Sequence, residues 1–191
     1  MITLGIFASG SGTNAENFCK YFVEHPEIRV GKIYTNNPGA GVIDRASRNN
    51  VPSEVFSQEE MKDGRLIQQL RSDGIDAVIL AGYMKLIPAE FIHAFPDRIL
   101  NIHPALLPNY GGKGMYGDHV HKAVIENGEK QSGITIHLVN EKYDEGRILF
   151  QAECKVTVED TPETLAQKVH ELEYAHYPEQ TAKYLLADSA L

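Results

Sequence analysis

The chain has little of what would tie it to a membrane, a nucleic acid or an oxidising compartment. No apolar stretch approaches the roughly 20 residues that span a bilayer, and the N-terminal run Ile2 to Ala8 is interrupted by Gly5 and ends in a polar turn. It reads as a core strand of a soluble protein, not as a signal peptide. Only two cysteines occur, Cys19 and Cys154. They lie far apart, give no metal spacing, and are expected as reduced thiols in a cytoplasmic protein. Basic residues are outnumbered, 18 against 26 acidic, and the net charge of −8 argues against a nucleic-acid surface. An anionic substrate must then be held by local donors instead of the overall field. Repeats, low-complexity tracts and Pro/Ser-rich linkers are also absent, so 191 residues with 42% hydrophobic content are expected to form one continuous domain.

What is present is an alternation of apolar strands and helical patterns. Strands are predicted at 2–8, 29–35, 53–56, 77–81 and 98–102, and helices at 14–24, 41–49, 58–72 and 88–94, a parallel α/β pattern. An irregular segment from Pro108 to Gly117 follows, then a helix ended by Gly128. Gln131 to Val139 and Arg147 to Val158 read as two long strands pairing antiparallel around the turn Asn140 to Gly146. Thr161-Pro162 opens a last helix, as N-cap and first helical residue, that runs toward Leu186. Parallel α/β sheets bind ligands outside the carboxyl ends of their strands, which directs attention to the turns after the first and fifth.

The fifth strand ends in Leu100-Asn101-Ile102-His103-Pro104. Side chains two apart on a strand share a face, so an amide and an imidazole converge there. An amide that donates to a developing oxyanion, beside a group that moves a proton, suits attack on a carbonyl carbon. The same spacing also suits a hydrogen-bonded core histidine at a strand end. After the first strand, Ser9-Gly10-Ser11-Gly12-Thr13-Asn14 joins strand to helix. Its glycines allow a tight turn, and free N–H groups at the helix start can surround a phosphate. Gly10-x-Gly12-x-x-Ala15 fits a relaxed dinucleotide fingerprint too, but the second strand ends in Thr35-Asn36-Asn37 without the acidic residue that holds a ribose. One phosphate is the better reading.

Together, Ala8 to Asn14, Leu80-Ala81-Gly82-Tyr83-Met84-Lys85-Leu86-Ile87, Leu100 to Pro104 and Thr135 to Gly146 resemble the glycinamide ribonucleotide transformylases, folate-dependent formyltransferases of purine synthesis. The resemblance covers essentially the whole chain. It implies the α/β formyltransferase fold: a Rossmann-like parallel sheet in the N-terminal half, extended by antiparallel strands in the C-terminal half. Residues 1–100 would be the phosphate- and nucleotide-binding half and 101–191 the catalytic and folate-closing half of a single domain. The implied co-substrate is 10-formyltetrahydrofolate, with no metal. Asp118, His119 and His121 lack further ligands, where a site normally needs three or four.

In the mechanism so implied, the amine of glycinamide ribonucleotide attacks the formyl carbon and a tetrahedral oxyanion forms. Asn101 and a protonated His103 stabilise it, and Asp144, which favours the charged ring, positions His103 and a water for proton transfer. Gly12, Thr13 and Asn14 take the phosphate, and Glu173 the ribose hydroxyls. Main-chain groups of Met84, Lys85, Leu86 and Ile87 read the pterin, with Asn101 and Asn140 also at the folate. Lys85 stands where the family carries Arg, and Glu59 where some members carry a basic residue; Lys62 and Arg65 are candidate substitutes. His170 stands where the family carries Gln and shares a helix face with Glu173 or with solvent. Thr135 and His137, two apart on a strand, are expected in the cleft, His137 alternatively as a packed core residue. Gly111 to Gly117 is longer than in other members, with four glycines in seven residues, and suits either a mobile lid or a plain spacer. Other implied properties are small-molecule partners only, no nucleic acid or membrane, and a monomer or homodimer. Two other classes stay open: a formyl-folate hydrolase using the same Asn101, His103 and Asp144, and a nucleotide-binding module or nicotinamide oxidoreductase.

Overall fold

In the computed structural model, which describes residues 1–188, the run Ile2–Phe7 forms β1 with Thr3 to Phe7 all buried. A parallel strand covered on both faces buries side chains of both orientations, and this run supplies them, with Thr3 and Gly5 as the positions that lack an apolar side chain. The chain forms two compact units, Met1–Asn101 and a second beginning at Ile102. In the first, β2 (Ile28–Thr35), β3 (Ser53–Val55), β4 (Ala77–Leu80) and the first three residues of β5 (Ile99–His103) join β1 in the order β3-β2-β1-β4-β5, every pair parallel. Helices α1 (Thr13–Phe22), α2 (Val42–Arg48), α3 (Gln58–Lys62), α4 (Arg65–Ser72) and α5 (Ala89–Ala94) connect them. Strand order reverses between β1 and β4, so the turn after β1 opens at the switch point where such sheets bind ligands. Phe7, fully buried, centres an aromatic cluster with Tyr34, Phe56, Tyr83 and Phe91 at centroid distances of 5.3 to 5.7 Å.

The helix predicted at 58–72 is two helices. Ser57 and Glu60 form a reciprocal capping box that starts α3, and Gly64, at φ 81°, stops the run before α4. A left-handed glycine ends a helix because no Cβ opposes that conformation. Asp63 then accepts from the Arg65 N–H at 3.1 Å and restarts the helix.

The second unit holds α6 (Asp118–Glu126), β6 (Gln131–Leu138), β7 (Ile148–Lys155) and α7 (Pro162–Asp188). β6 and β7 pair antiparallel, Thr135 opposite Gln151, with a register shift between Ile136 and His137. That irregularity lies two residues before the turn and re-aims the strand end. Gly133 is obligatory here, since a Cβ would lie 1.9 Å from the Ala152 carbonyl oxygen. The Thr161 hydroxyl accepts from the Thr164 N–H at 3.3 Å at the start of α7, the expected cap. The helix continues through Pro178. Among the described residues no helix is long and apolar enough to cross a membrane.

Candidate active site

β5 ends at His103, with Asn101 two residues before it on the same strand. His103 is 3% exposed and Asn101 half-buried. Past β5 the chain passes through a cis Leu107–Pro108 peptide to Tyr110, whose φ of 56° is left-handed. There the Tyr110 carbonyl accepts from His103 Nε2 at 2.7 Å. A carbonyl only accepts, so this contact fixes the proton of a neutral His103 on Nε2 and leaves Nδ1 with the lone pair.

The β6–β7 turn brings Asp144 to that Nδ1. Oδ2 lies 3.5 Å from His103 Nδ1 and Oδ1 lies 3.6 Å from His137 Nε2. The Gly112 N–H donates to Oδ2 at 3.0 Å. His137, 2% exposed, donates from Nδ1 to the Leu138 carbonyl at 2.8 Å. One carboxylate thus sits between two buried imidazoles. The turn itself is held by Asn140, which donates to the Glu145 carbonyl at 3.1 Å and accepts from the Lys142 N–H at 3.0 Å. Asp144 is left-handed at φ 56°. A Cβ on Gly146 would fall 1.7 Å from the Leu138 carbonyl oxygen, so only glycine closes this turn.

Burial raises the Asp144 carboxyl, but the His137 hydrogen bond, the neighbouring His103 and the Gly112 N–H outweigh it and hold the group below its usual range. For His103 the balance goes the other way. Burial lowers it more than Asp144 and the Tyr110 carbonyl raise it, and His137 lowers it further. Burial thus opposes in the free protein the protonation of His103 that Asp144 was expected to favour. A proton that reaches Nδ1 is received beside Asp144.

A cavity of about 490 Å³ opens at this cluster. Leu107, Pro108, Tyr143 and Ile148 give it apolar walls, and Asp144 with the backbones of Gly111, Gly112 and Gly146 gives it a polar end. Thr135, expected in the cleft, is fully buried and structural instead. Its hydroxyl donates to the Ala105 carbonyl at 2.7 Å and accepts from the Leu107 N–H at 2.9 Å and from Gln151 Nε2 at 2.8 Å, which pins the segment after β5. On α7, Glu173 is 6% exposed while His170 faces solvent and stacks on Tyr174 at 6.1 Å. Of the two, Glu173 is packed into the fold and His170 is left to solvent. Burial and Glu173 push the Tyr177 hydroxyl well above its ordinary value.

In the first unit, the turn after β1 is braced on all sides. Ser9 Oγ donates to Asn36 Oδ1 at 2.7 Å, Arg45 Nε to the Ser11 carbonyl at 2.8 Å, and the Val42 N–H to the Gly10 carbonyl at 3.1 Å. Gly12, at φ 77°, precedes α1 and supplies no side-chain cap, while Thr13 and Asn14 are half-buried at the helix start. A Cβ on Gly12 would lie 2.3 Å from a Val42 methyl, so the glycine answers to α2 as well as to any anion. The segment after β4 is irregular, as expected, and its Met84 N–H donates to Ser9 Oγ at 3.4 Å. Met84, Lys85 and Leu86 are exposed there, whereas Ile87 is a core residue at 2%. No group of three or more His, Cys, Asp or Glu able to hold a metal occurs among the described residues. The Tyr110 carbonyl and the Gly112 N–H escape sequence reading, since main-chain groups carry no sequence signal; the second partner of Asp144, His137, is legible only as one of two alternatives.

The family model for formyl transferase matches residues 3–181. The chain is 46% identical to a chloroplastic phosphoribosylglycinamide formyltransferase of Arabidopsis thaliana over 92% of its own length and 63% of that protein's. It thus spans about three fifths of that relative. With the phosphoribosylglycinamide formyltransferase of Bacillus subtilis it shares 34% identity over 93% of this chain and 92% of the relative. The crystal structure of glycinamide ribonucleotide transformylase 1 from Symbiobacterium toebii matches with a TM-score of 0.87 at 35% identity, covering 95% of this chain and 86% of that one. With five parallel strands, an antiparallel pair and a histidine–aspartate cluster at the end of β5, the chain belongs to the formyl transferase family.

Proposed function

We propose that the chain transfers the formyl group of 10-formyltetrahydrofolate to the amine of glycinamide ribonucleotide, giving formylglycinamide ribonucleotide and tetrahydrofolate, in purine synthesis. The observation that carries this reading is the His103–Asp144 pair at the end of the strand that bears Asn101. The names of the Arabidopsis and Bacillus relatives support the choice of acceptor.

Addition of the amine to the formyl carbon forms one C–N bond and places negative charge on the formyl oxygen. The Asn101 amide donates to that oxygen, and fixed donors of this kind act most strongly where water is excluded. His103 Nδ1 takes the proton shed by the attacking nitrogen, with Asp144 holding the imidazolium. Its return to the folate nitrogen accompanies cleavage of the original C–N bond. Gly12, Thr13 and Asn14 hold the phosphate, and Glu173 the ribose hydroxyls. The cavity beside Asp144, with its aromatic and aliphatic walls, suits a planar heterocycle and its attached ring. Met84, Lys85, Leu86 and Ile87 contribute main-chain groups to the folate, and Asn101 and Asn140 complete its site, Asn140 by shaping the turn. Proton transfer and oxyanion stabilisation come from side chains, so the reaction draws on no metal. We further infer a single 1–191 domain acting in the cytoplasm as a monomer or homodimer, on small molecules alone.

The test is the absorbance change on deformylation of 10-formyltetrahydrofolate with and without glycinamide ribonucleotide, with mass detection of the formylated product. Deformylation that depends on the ribonucleotide is expected. Equal rates without it would make the protein a hydrolase.

A further inference from the structure

Tyr110 touches the reactive cluster through its backbone and is fastened elsewhere through its side chain. Its hydroxyl donates to Glu129 Oε1 at 2.7 Å and accepts from Asn127 Nδ2 at 2.9 Å. Both partners lie in the turn between α6 and β6. Two residues after Tyr110, the Gly112 N–H holds Asp144. A left-handed conformation in a bulky residue persists only where its surroundings over-determine it. Here they do so from both ends: the phenol is clamped outside, and the peptide is held by His103 inside.

We propose that Tyr110 is a positioning residue for formyl transfer: its hydroxyl, gripped by Asn127 and Glu129, holds the peptide whose carbonyl keeps His103 in the Nε2–H tautomer. The consequence is chemical. With Nε2 committed to a carbonyl, Nδ1 is the ring position at which a proton comes and goes, and it is the one beside Asp144. Without that carbonyl the favoured neutral ring carries its proton on Nδ1, donated to the Asp144 carboxylate. Such a ring cannot accept a proton from an attacking amine at that position. The groups that face His103 are Asp144 and His137 from the hairpin, the Tyr110 carbonyl, and His121 from α6. None of the three side chains is a carbonyl-like acceptor aimed at Nε2, so the tautomer rests on Tyr110. Burial and Glu129 raise the phenol above its ordinary value, so it remains a donor through the neutral range.

The kinetic part of this inference rests on the formyl-transfer reading, while the tautomer does not. Protein labelled with ¹⁵N-histidine reports the state of His103 directly through its ring nitrogen shifts. Wild type is expected in the Nε2–H form, and Tyr110→Phe is expected to move population toward Nδ1–H. In steady-state formyl transfer, Tyr110→Phe should lower kcat by about tenfold with both KM values near wild type, a positioning-sized loss. Glu129→Ala should reproduce it without adding to it, and Glu129→Gln, which keeps an acceptor, should recover most of the loss. Wild-type tautomer and kcat in Tyr110→Phe would overturn the proposal. So would a loss that appears equally in kcat, both KM values and melting temperature, which marks a merely structural residue. If wild type shows no ribonucleotide-dependent turnover, the functional reading fails by itself, and the ring shifts still decide the clamp.

Discussion

His103 faces two acceptors, the Tyr110 carbonyl and the Asp144 carboxylate, and is nevertheless held below its ordinary value by burial. Its imidazole titration followed by NMR should have a midpoint below 6.5. Asp144→Asn should lower that midpoint further, because the carboxylate is what opposes burial. A wild-type midpoint above 6.5 would mean that the charge pair dominates. In the reaction, His103→Ala, Asn101→Ala and Asp144→Ala should each reduce kcat by roughly a hundredfold or more while changing KM little. Combined losses should fall short of the product, since the three act on one proton and one oxygen. Near-normal kcat in a folded variant would remove that residue from the mechanism.

At the level of elements, two turns position the chemistry, and their glycines are not equivalent. Gly12 is left-handed and its Cβ would overlap Val42, whereas Gly10 has nothing within 4 Å of the corresponding position. Gly12→Ala should therefore cost about 1–3 kcal/mol of stability, read as a lower urea midpoint, whatever the turn binds. Gly10→Asp isolates binding, because it adds a negative charge to the turn without a clash. The ribonucleotide KM should rise about tenfold or more, equivalent to about 1.4 kcal/mol, with the folate KM and the urea midpoint unchanged. A selective rise in the folate KM would mean that the turn serves the other substrate. In the hairpin, Gly146→Ala forces a Cβ into the Leu138 carbonyl oxygen, so the turn must shift and carry Asp144 with it. The variant should lose turnover at least as fully as Asp144→Ala and show the lowered His103 midpoint of Asp144→Asn.

The whole molecule should lose stability on acidification in two stages. His103 and His121 are both held below 6.5 in the fold, chiefly by burial. Between their folded values and 6.5 the unfolded chain binds more protons, so stability falls as pH drops from about 6.5 through those lower values. Asp144 and Asp73 are lowered in the fold despite burial, by the His137 and Lys32 hydrogen bonds respectively. Their contribution is present above about 3.8 and is lost as pH falls through their folded values. Urea midpoints should accordingly decline already between about pH 7 and pH 5, and less steeply in His121→Gln. A flat midpoint across that window would show that the two rings remain hydrated.

Sequence by itself determined the local elements and the pairing of Asn101 with His103. Strand periodicity and apolar runs are properties of neighbouring residues, and Thr161-Pro162 opens α7 through a cap completed three residues on, at Thr164. It also contained the break at Gly64, because a left-handed glycine acts locally, although the helical pattern on either side conceals it. Tertiary structure alone decided what surrounds His103. Asp144 reaches it through a hairpin turn that Gly146 and Asn140 close, and the Tyr110 carbonyl and Gly112 N–H are main-chain groups that any residue would carry. It decided the direction in which the His103 titration moves as well, since desolvation depends on what is packed around the ring and not on which residues flank it in the chain. The same holds for Thr135, which a strand pattern assigns to the cleft and which three hydrogen bonds within the fold assign to the scaffold.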